Sequence, residues 1–242
     1  MAEFKLPTEV IDLPSKGLLY PKDSPLSNGK IEIKYMTAKE EDILSNIAYI
    51  QKGIVLDKLF ESLIVSKINY DDLLIGDKNA VMIAARVLGY GHDYTFEYNG
   101  EETTINLAKL ENVKVDEKSW NRDNSFKFTF PNSKTEITFK LLTHGDEQKI
   151  NEEVRSLKKI RKDADATIST RLKYMITSVG GDSEQKTIRN FVDNYLLARD
   201  SRALREYIKS INPDLDLTFF PDESGKRVSI PIGLTLFWPD AK

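Results

Sequence analysis

The chain states one pattern twice, and that repetition restricts its fold more than any single motif in it. DKNAVMIAARVLGYGHDYTF runs from Asp77 to Phe96, and DSRALREYIKSINPDLDLTF from Asp200 to Phe219. Each opens on Asp, carries Ala at its fourth place and closes on Asp-x-Thr-Phe. A second pair lies upstream. In KIEIKYMTAKEEDIL, Ile31, Ile33 and Tyr35 alternate with charged residues, the period of a half-buried strand. Thr37 then caps a helix, Glu40 completes a capping box, and Glu40, Glu41 and Asp42 face the positive end of the helix dipole. In NSKTEITFKLLTHGDEQKIN, Ile137, Phe139 and Leu141 alternate, Thr143 caps, and Asp146 and Glu147 fill the first turn.

A shift of 106 places aligns Ile31 with Ile137, Lys34 with Lys140, Thr37 with Thr143 and Glu41 with Glu147. The first pair is 123 places apart, so the second copy is expected to hold 17 more residues, about five helical turns, within 152–179. Thr-capped helices after strands also recur by chance. Two matches in the same order, framing the same succession of elements, favour an internal duplication.

Each copy reads as a hairpin, a Thr-capped helix, further helices and a closing hairpin. LLYP (18–21) and FTFP (128–131) are expected as the preceding strands of the two opening hairpins. Helices are expected near 38–52, 55–66 and 78–88, then near 144–162, 165–178, 184–198 and 200–210. Asn99-Gly100 signals a hairpin turn. Pro7, Pro14, Pro21 and Pro25, with Gly17 and Gly29, disfavour helix before residue 30. The fold expected is therefore α+β: an extended Pro-rich arm with a first strand over 1–30, a first hairpin-helical module over 31–112, and a longer second one over 113–242.

Function classes narrow by chemistry. With 242 residues, 40% hydrophobic and 30% charged, this is an ordinary soluble composition, and a net charge of −3 offers no general field for nucleic acid or anionic lipid. Cysteine is absent, which excludes disulfides, thiolate metal sites and thiol nucleophiles. No apolar run approaches membrane-spanning length, and MAEFKLPTEV does not read as a signal peptide, so synthesis in a cytoplasm is expected. His92 and His144 fit no zinc spacing and read as solvated surface residues. Phosphate-loop, dinucleotide and nucleophile-elbow motifs are missing, and VGGDSE reads as a helix stop followed by a new cap. The acids Asp71-Asp72, Asp214 with Asp216, and Asp222-Glu223 fall in turn-rich loops, where they cap and solvate. Lys158–Lys162 (KKIRK) sits beside acids on one helix and is largely neutralised by them. The expectation is no catalysis, no cofactor and no metal.

The ends of the chain are aromatic. The plain reading of GLTLFWPDAK is a last strand with Trp238 buried inside the fold. The other reading has Leu18, Leu19 and Tyr20 of the arm, with Phe237, Trp238 and Pro239, docking on neighbouring subunits as aromatic anchors.

Taken together, LPSKGLLYP, MTAKEEDIL, LDKLFESLI, DLLIGDKNAVMIAARVLGYGHDYTF, LLTHGDEQ and LFWP resemble the baseplate-protein family of T-even-type contractile-tailed bacteriophages. The likeness covers most of the chain and is strongest over 12–98. It implies a virion structural role at the central hub of the tail baseplate, acting through protein–protein contacts with other baseplate, hub and tail proteins. A transient tail-assembly chaperone, holding a component such as the tape-measure protein and absent from the mature virion, is the alternative. Relatives in that family carry a Cys-x-x-Cys pair in the hairpin that here reads FEYNGEE, so the resemblance implies no metal at this tip. The implied locations are the virion baseplate and, during assembly, the host cytoplasm. A ring-like homo-oligomer is one arrangement that a duplicated scaffold permits.

Overall fold

A computed structural model describes residues 6–160, 166–221 and 225–238. The fold is α+β, with small antiparallel sheets and eight α-helices among the described residues. Strand β1 (Thr8–Asp12) pairs with β2 (Lys30–Lys34), Ile11 opposite Ile31. The alternation in β2 turns Ile31 and Ile33 into the core. Helices α1 (Ala38–Leu44), α2 (Ile47–Lys52) and α3 (Val55–Leu63) follow, and Ile64 bridges back to Ile33. Helix α4 (Ile75–Tyr90) leads to the hairpin β3 (Asp93–Tyr98) and β4 (Glu101–Asn106). Its turn is Asn99-Gly100, both at positive φ (52° and 83°), as a tight hairpin turn requires.

The second half follows a comparable but not identical order. Strands β5 (Phe126–Thr129) and β6 (Glu136–Phe139) pair, followed by α5 (His144–Ile160) and α6 (Thr167–Met175). Strand β7 (Ile176–Val179) then joins β6, with Ile176 opposite Phe139 as Ile64 is opposite Ile33. Helices α7 (Gln185–Asn194) and α8 (Ala198–Ile211) precede the short hairpin β8 (Thr218–Phe219) and β9 (Val228–Ser229). The two closing hairpins meet: Phe96 and Phe219 pack edge to face with centroids 5.3 Å apart.

Several expectations change. LLYP is a bend and not a strand; the counterpart of β5 is Thr8–Asp12. The helix expected over 38–52 breaks at Asn46, whose side chain accepts from Tyr49 N and starts α2 afresh. Residues 176–178 leave the helix to add a strand, because the exposed edge of β6 is there to be paired. The extra length is divided. Val55 and Thr167 are 112 apart, so six residues precede α6 and the rest surround α7, where the first half has only a 3-10 turn at Tyr70–Asp72. The last strand is instead a 3-10 turn, Leu234–Phe237.

Both halves share one core. A continuous apolar cluster runs from Leu13, Leu19, Tyr20 and Leu26 of the proline-rich start through Phe60, Val81 and Phe139 to Phe237, with Leu142, Ile150 and Val154 forming a small satellite. Phe60 packs between Tyr70 and Phe237. Arg86, buried in α4, gathers the carbonyls of Gly91 (2.6 Å) and Asp93 (3.0 Å) and so shapes the Gly-Tyr-Gly loop into β3.

Candidate functional site

Each half carries a buried aspartate at the third residue of a long helix, directed at the bend after its first strand. Asp77 of α4 accepts from Ser15 N (2.9 Å), Ser15 Oγ (2.6 Å) and Tyr20 Oη (2.5 Å). Tyr20 Oη accepts in turn from Leu74 N at 3.0 Å. Asp200 of α8 accepts from Asn132 N (2.9 Å), Asn132 Nδ2 (2.7 Å) and Ser133 N (2.9 Å). The bends correspond as Leu13-Pro14-Ser15-Lys16 and Phe130-Pro131-Asn132-Ser133-Lys134, and the closing lysines share positive φ, 53° and 58°. Burial, with the nearby Asp214, raises the Asp77 carboxyl against its hydrogen bonds. Burial also works to raise Asp200, but the donors of Asn132 and Ser133 outweigh it and hold the carboxyl at about 2.

A second device is also doubled. Lys34 Nζ reaches Glu40 Oε1 at 2.8 Å, while Thr37 N and Oγ1 donate to Oε2 at 2.9 and 2.7 Å. Lys140 Nζ reaches Asp146 Oδ1 at 2.8 Å, while Thr143 N and Oγ1 donate to Oδ2 at 3.2 and 3.3 Å. Each ties a strand end to the helix after it. Glu40 adds a bond from Ser62 Oγ (2.7 Å) of α3. Burial pushes its carboxyl up, and the donors of Lys34, Thr37 and Ser62 override that, lowering it to about 2.

The halves meet where two helices begin. Leu74 and Thr143 form an antiparallel bridge, with Ile75 N donating to Leu142 O (3.3 Å) and His144 N to Leu73 O (2.7 Å). These are first-turn N–H groups that a helix leaves unpaired, and each half satisfies one for the other. His144 is 2% exposed, its ring 4.4 Å from the Tyr70 ring and tilted 49° to it, in a cleft of about 430 Å³ that also includes Asp57, Lys78, Gln148 and Arg155. The expectation of a solvated His144 is thereby corrected: closure of the joint covers it. Lys78 Nζ lies 2.9 Å from Nδ1, and an ammonium can only donate, so Nδ1 accepts. Asp57 Oδ1 is 3.4 Å from Nε2 and 3.0 Å from Lys78 Nζ, and the Gln148 amide is 2.9 Å from Nε2. Burial and then Lys78 lower the imidazole pKa. A ring whose lone pair is held by a lysine proton is poorly placed to act as a base; this cluster fastens the joint.

The residues expected to contact neighbours are distributed differently. Leu19, Tyr20 and Phe237 are buried within the fold, Tyr20 on Asp77 and Phe237 against Phe60 and Tyr90. In these positions they are not available to another subunit, because the proline-rich start folds down onto the core. Leu18 is exposed, Trp238 is half-buried on the core, and Pro239 lies outside the described residues. Asp214 is held by Asn79 Nδ2 (3.0 Å), Asp216 by Thr218 and Arg227, and Asp71 sits against Gly145. Asp222 and Glu223 lie outside the described residues, as do Arg161 and Lys162 of the basic run, whose Lys158 and Lys159 end α5. His92 is exposed beside Asp93. No group of three or more His, Asp or Glu side chains is placed to hold a metal among the described residues. Sequence reasoning found the opening Asp of each repeated segment without its role; the bends with Pro followed by Ser and Lys were the available signal. Comparison with protein-family models, curated proteins and solved structures finds no match to this chain.

Proposed function

We propose that the chain is a structural component of the central hub of a contractile-tailed phage baseplate, acting in tail assembly through protein–protein contacts and without catalytic turnover. One observation carries the reading: the separate stretches that bear the resemblance converge in space. Ser15 and Tyr20 of LPSKGLLYP bind Asp77 of DLLIGDKNA, whose Leu73 and Ile75 pair with Leu142 and His144 of LLTHGDEQ. Glu40 of MTAKEEDIL accepts from Ser62 of LDKLFESLI, and Phe237 of LFWP packs on Phe60 of that same stretch. These contacts make the stretches that bear the resemblance one connected structural unit. The ionisable groups of that unit mostly bind its own turns and helix starts, which suits a part that holds shape under load.

Mass spectrometry of purified particles of the encoding phage tests this. The expected result is the chain in intact tails at fixed stoichiometry with other hub proteins. Its presence in infected cells but absence from particles overturns the permanent-subunit reading and leaves the tail-assembly chaperone.

A further inference from the structure

The joint between the halves uses one edge from each, and each half also carries the counterpart of the edge it lacks. Inside the chain, Leu73-Leu74-Ile75 at the start of α4 pairs with Leu142-Thr143-His144 at the start of α5. The 123-residue shift places Leu196-Leu197-Ala198, at the start of α8, opposite the first of these; the 106-residue shift places Met36-Thr37-Ala38, at the start of α1, opposite the second. Among the described residues, no main-chain hydrogen bond engages Leu196 O, Ala198 N, Met36 O or Ala38 N, the atoms equivalent to those that bridge the halves. Leu74 is 3% exposed under the internal joint, whereas its counterpart Leu197 is 50% exposed.

The two open edges are also complementary. Arg199 stands in the first turn of α8, where the helix dipole disfavours a cation, and has no carboxylate partner among the described residues. Arg202 beside it is exposed and pairs with Glu206 of its own helix. On the other edge Glu41 and Asp42 are exposed in α1 and without a cationic partner among the described residues, with Lys39 the exposed cation beside them. Alanine at both helix starts, Ala38 and Ala198, takes the place of the larger His144 and Ile75 and leaves the backbones free to approach.

We infer that this chain joins a second copy of itself head to tail, the edge before α8 of one copy bridging to the edge before α1 of the next, as the halves bridge within one copy. The contact is heterologous, so it propagates to a closed ring or a filament. The inference rests on the correspondence of the halves and not on the phage assignment; particle composition and solution mass can fail independently.

Sedimentation velocity on the full chain over a concentration series tests it. The wild type is expected to grow beyond a dimer as concentration rises. Leu197→Asp sets a carboxylate against Glu41 and Asp42 while supplying a favourable helix cap, so α8 stays folded, and it is expected to be a monomer. Glu41→Arg with Asp42→Arg disables the other edge and is expected to be monomeric too. An equimolar mixture keeps one sound edge of each kind, so a species of twice the monomer mass should appear. A wild type that stays monomeric at every concentration, variants that assemble singly, or a mixture that does not form dimers would each overturn the inference.

Discussion

Helices α4 and α8 begin from one pattern and end in different surroundings. Helix α4 buries Gly76, Asp77, Ala80, Val81, Met82, Ile83, Ala85 and Arg86, which lie on all sides of it. Helix α8 buries Asp200, Leu204, Ile208 and Ile211, a single stripe at spacings of four, four and three. The reason is position. Helix α4 lies between the halves: a side chain on Gly76 would meet Pro213 O at 1.8 Å, and Asn79 holds Asp214 across the same contact. The counterpart of Gly76 is Arg199, exposed. The same scaffold therefore takes an apolar coat where the other half of the chain covers it and a charged coat where that half does not. Their anchoring aspartates diverge likewise, Asp77 raised by burial and Asp200 held at about 2 by its donors.

The comparison can be broken most forcefully through the shared core. Phe60→Ala in the first half and Phe139→Ala in the second each remove a fully buried ring, at a cost of about 3–5 kcal/mol. Because one cluster spans both halves, each variant should unfold in one transition at a lowered midpoint in calorimetry; two separated transitions would show that the halves are independent.

The aspartates give the next effect. Asp77→Ala leaves Ser15 N, Ser15 Oγ and Tyr20 Oη buried without an acceptor, and should cost about 3 kcal/mol in chemical denaturation. The asparagine variants sharpen the contrast through pH. Asp200 has a folded pKa below its unfolded value of 3.8, so its stabilisation is full above that value and is lost as pH falls towards about 2. Asp77 has a folded pKa above 3.8, so its contribution is best below that value and declines as pH rises through the folded pKa. The penalty of Asp200→Asn should therefore grow with rising pH while that of Asp77→Asn shrinks. Parallel slopes would refute the difference in environment.

The smallest effect is in the bends. Lys134 is held at φ 58°, so Lys134→Gly should relieve left-handed strain and stabilise by about 0.5 kcal/mol. At Lys16, φ 53°, the same change also removes the ion pair with Glu117 (2.6 Å), and the gain in thermal midpoint should be smaller.

Much of the local structure was legible because its causes are local. Thr37 with Glu40 and Thr143 with Asp146 announce helix starts through contacts three residues apart, and Asn99-Gly100 announces its turn through backbone preference alone. What was not legible had partners far away. LLYP has the aromatic and branched composition of a strand, but the distant Asp77 draws Tyr20 inward and Lys16-Gly17 bend the chain at positive φ. His144 looks like a surface residue from its neighbours in sequence, and it becomes a buried one when Tyr70 and Leu73 close over it.

The sequence by itself determined the α+β class, the capped helix starts after β2 and β6 and the Asn99-Gly100 turn, because periodicity and capping act within a few residues. Tertiary structure alone decided that both halves share a core, that α4 and not α8 lies at its centre, and that one pair of helix starts is joined while its counterpart stays open. Those outcomes depend on which surfaces cover one another, and burial of that kind is a property of the packed chain and of no segment within it.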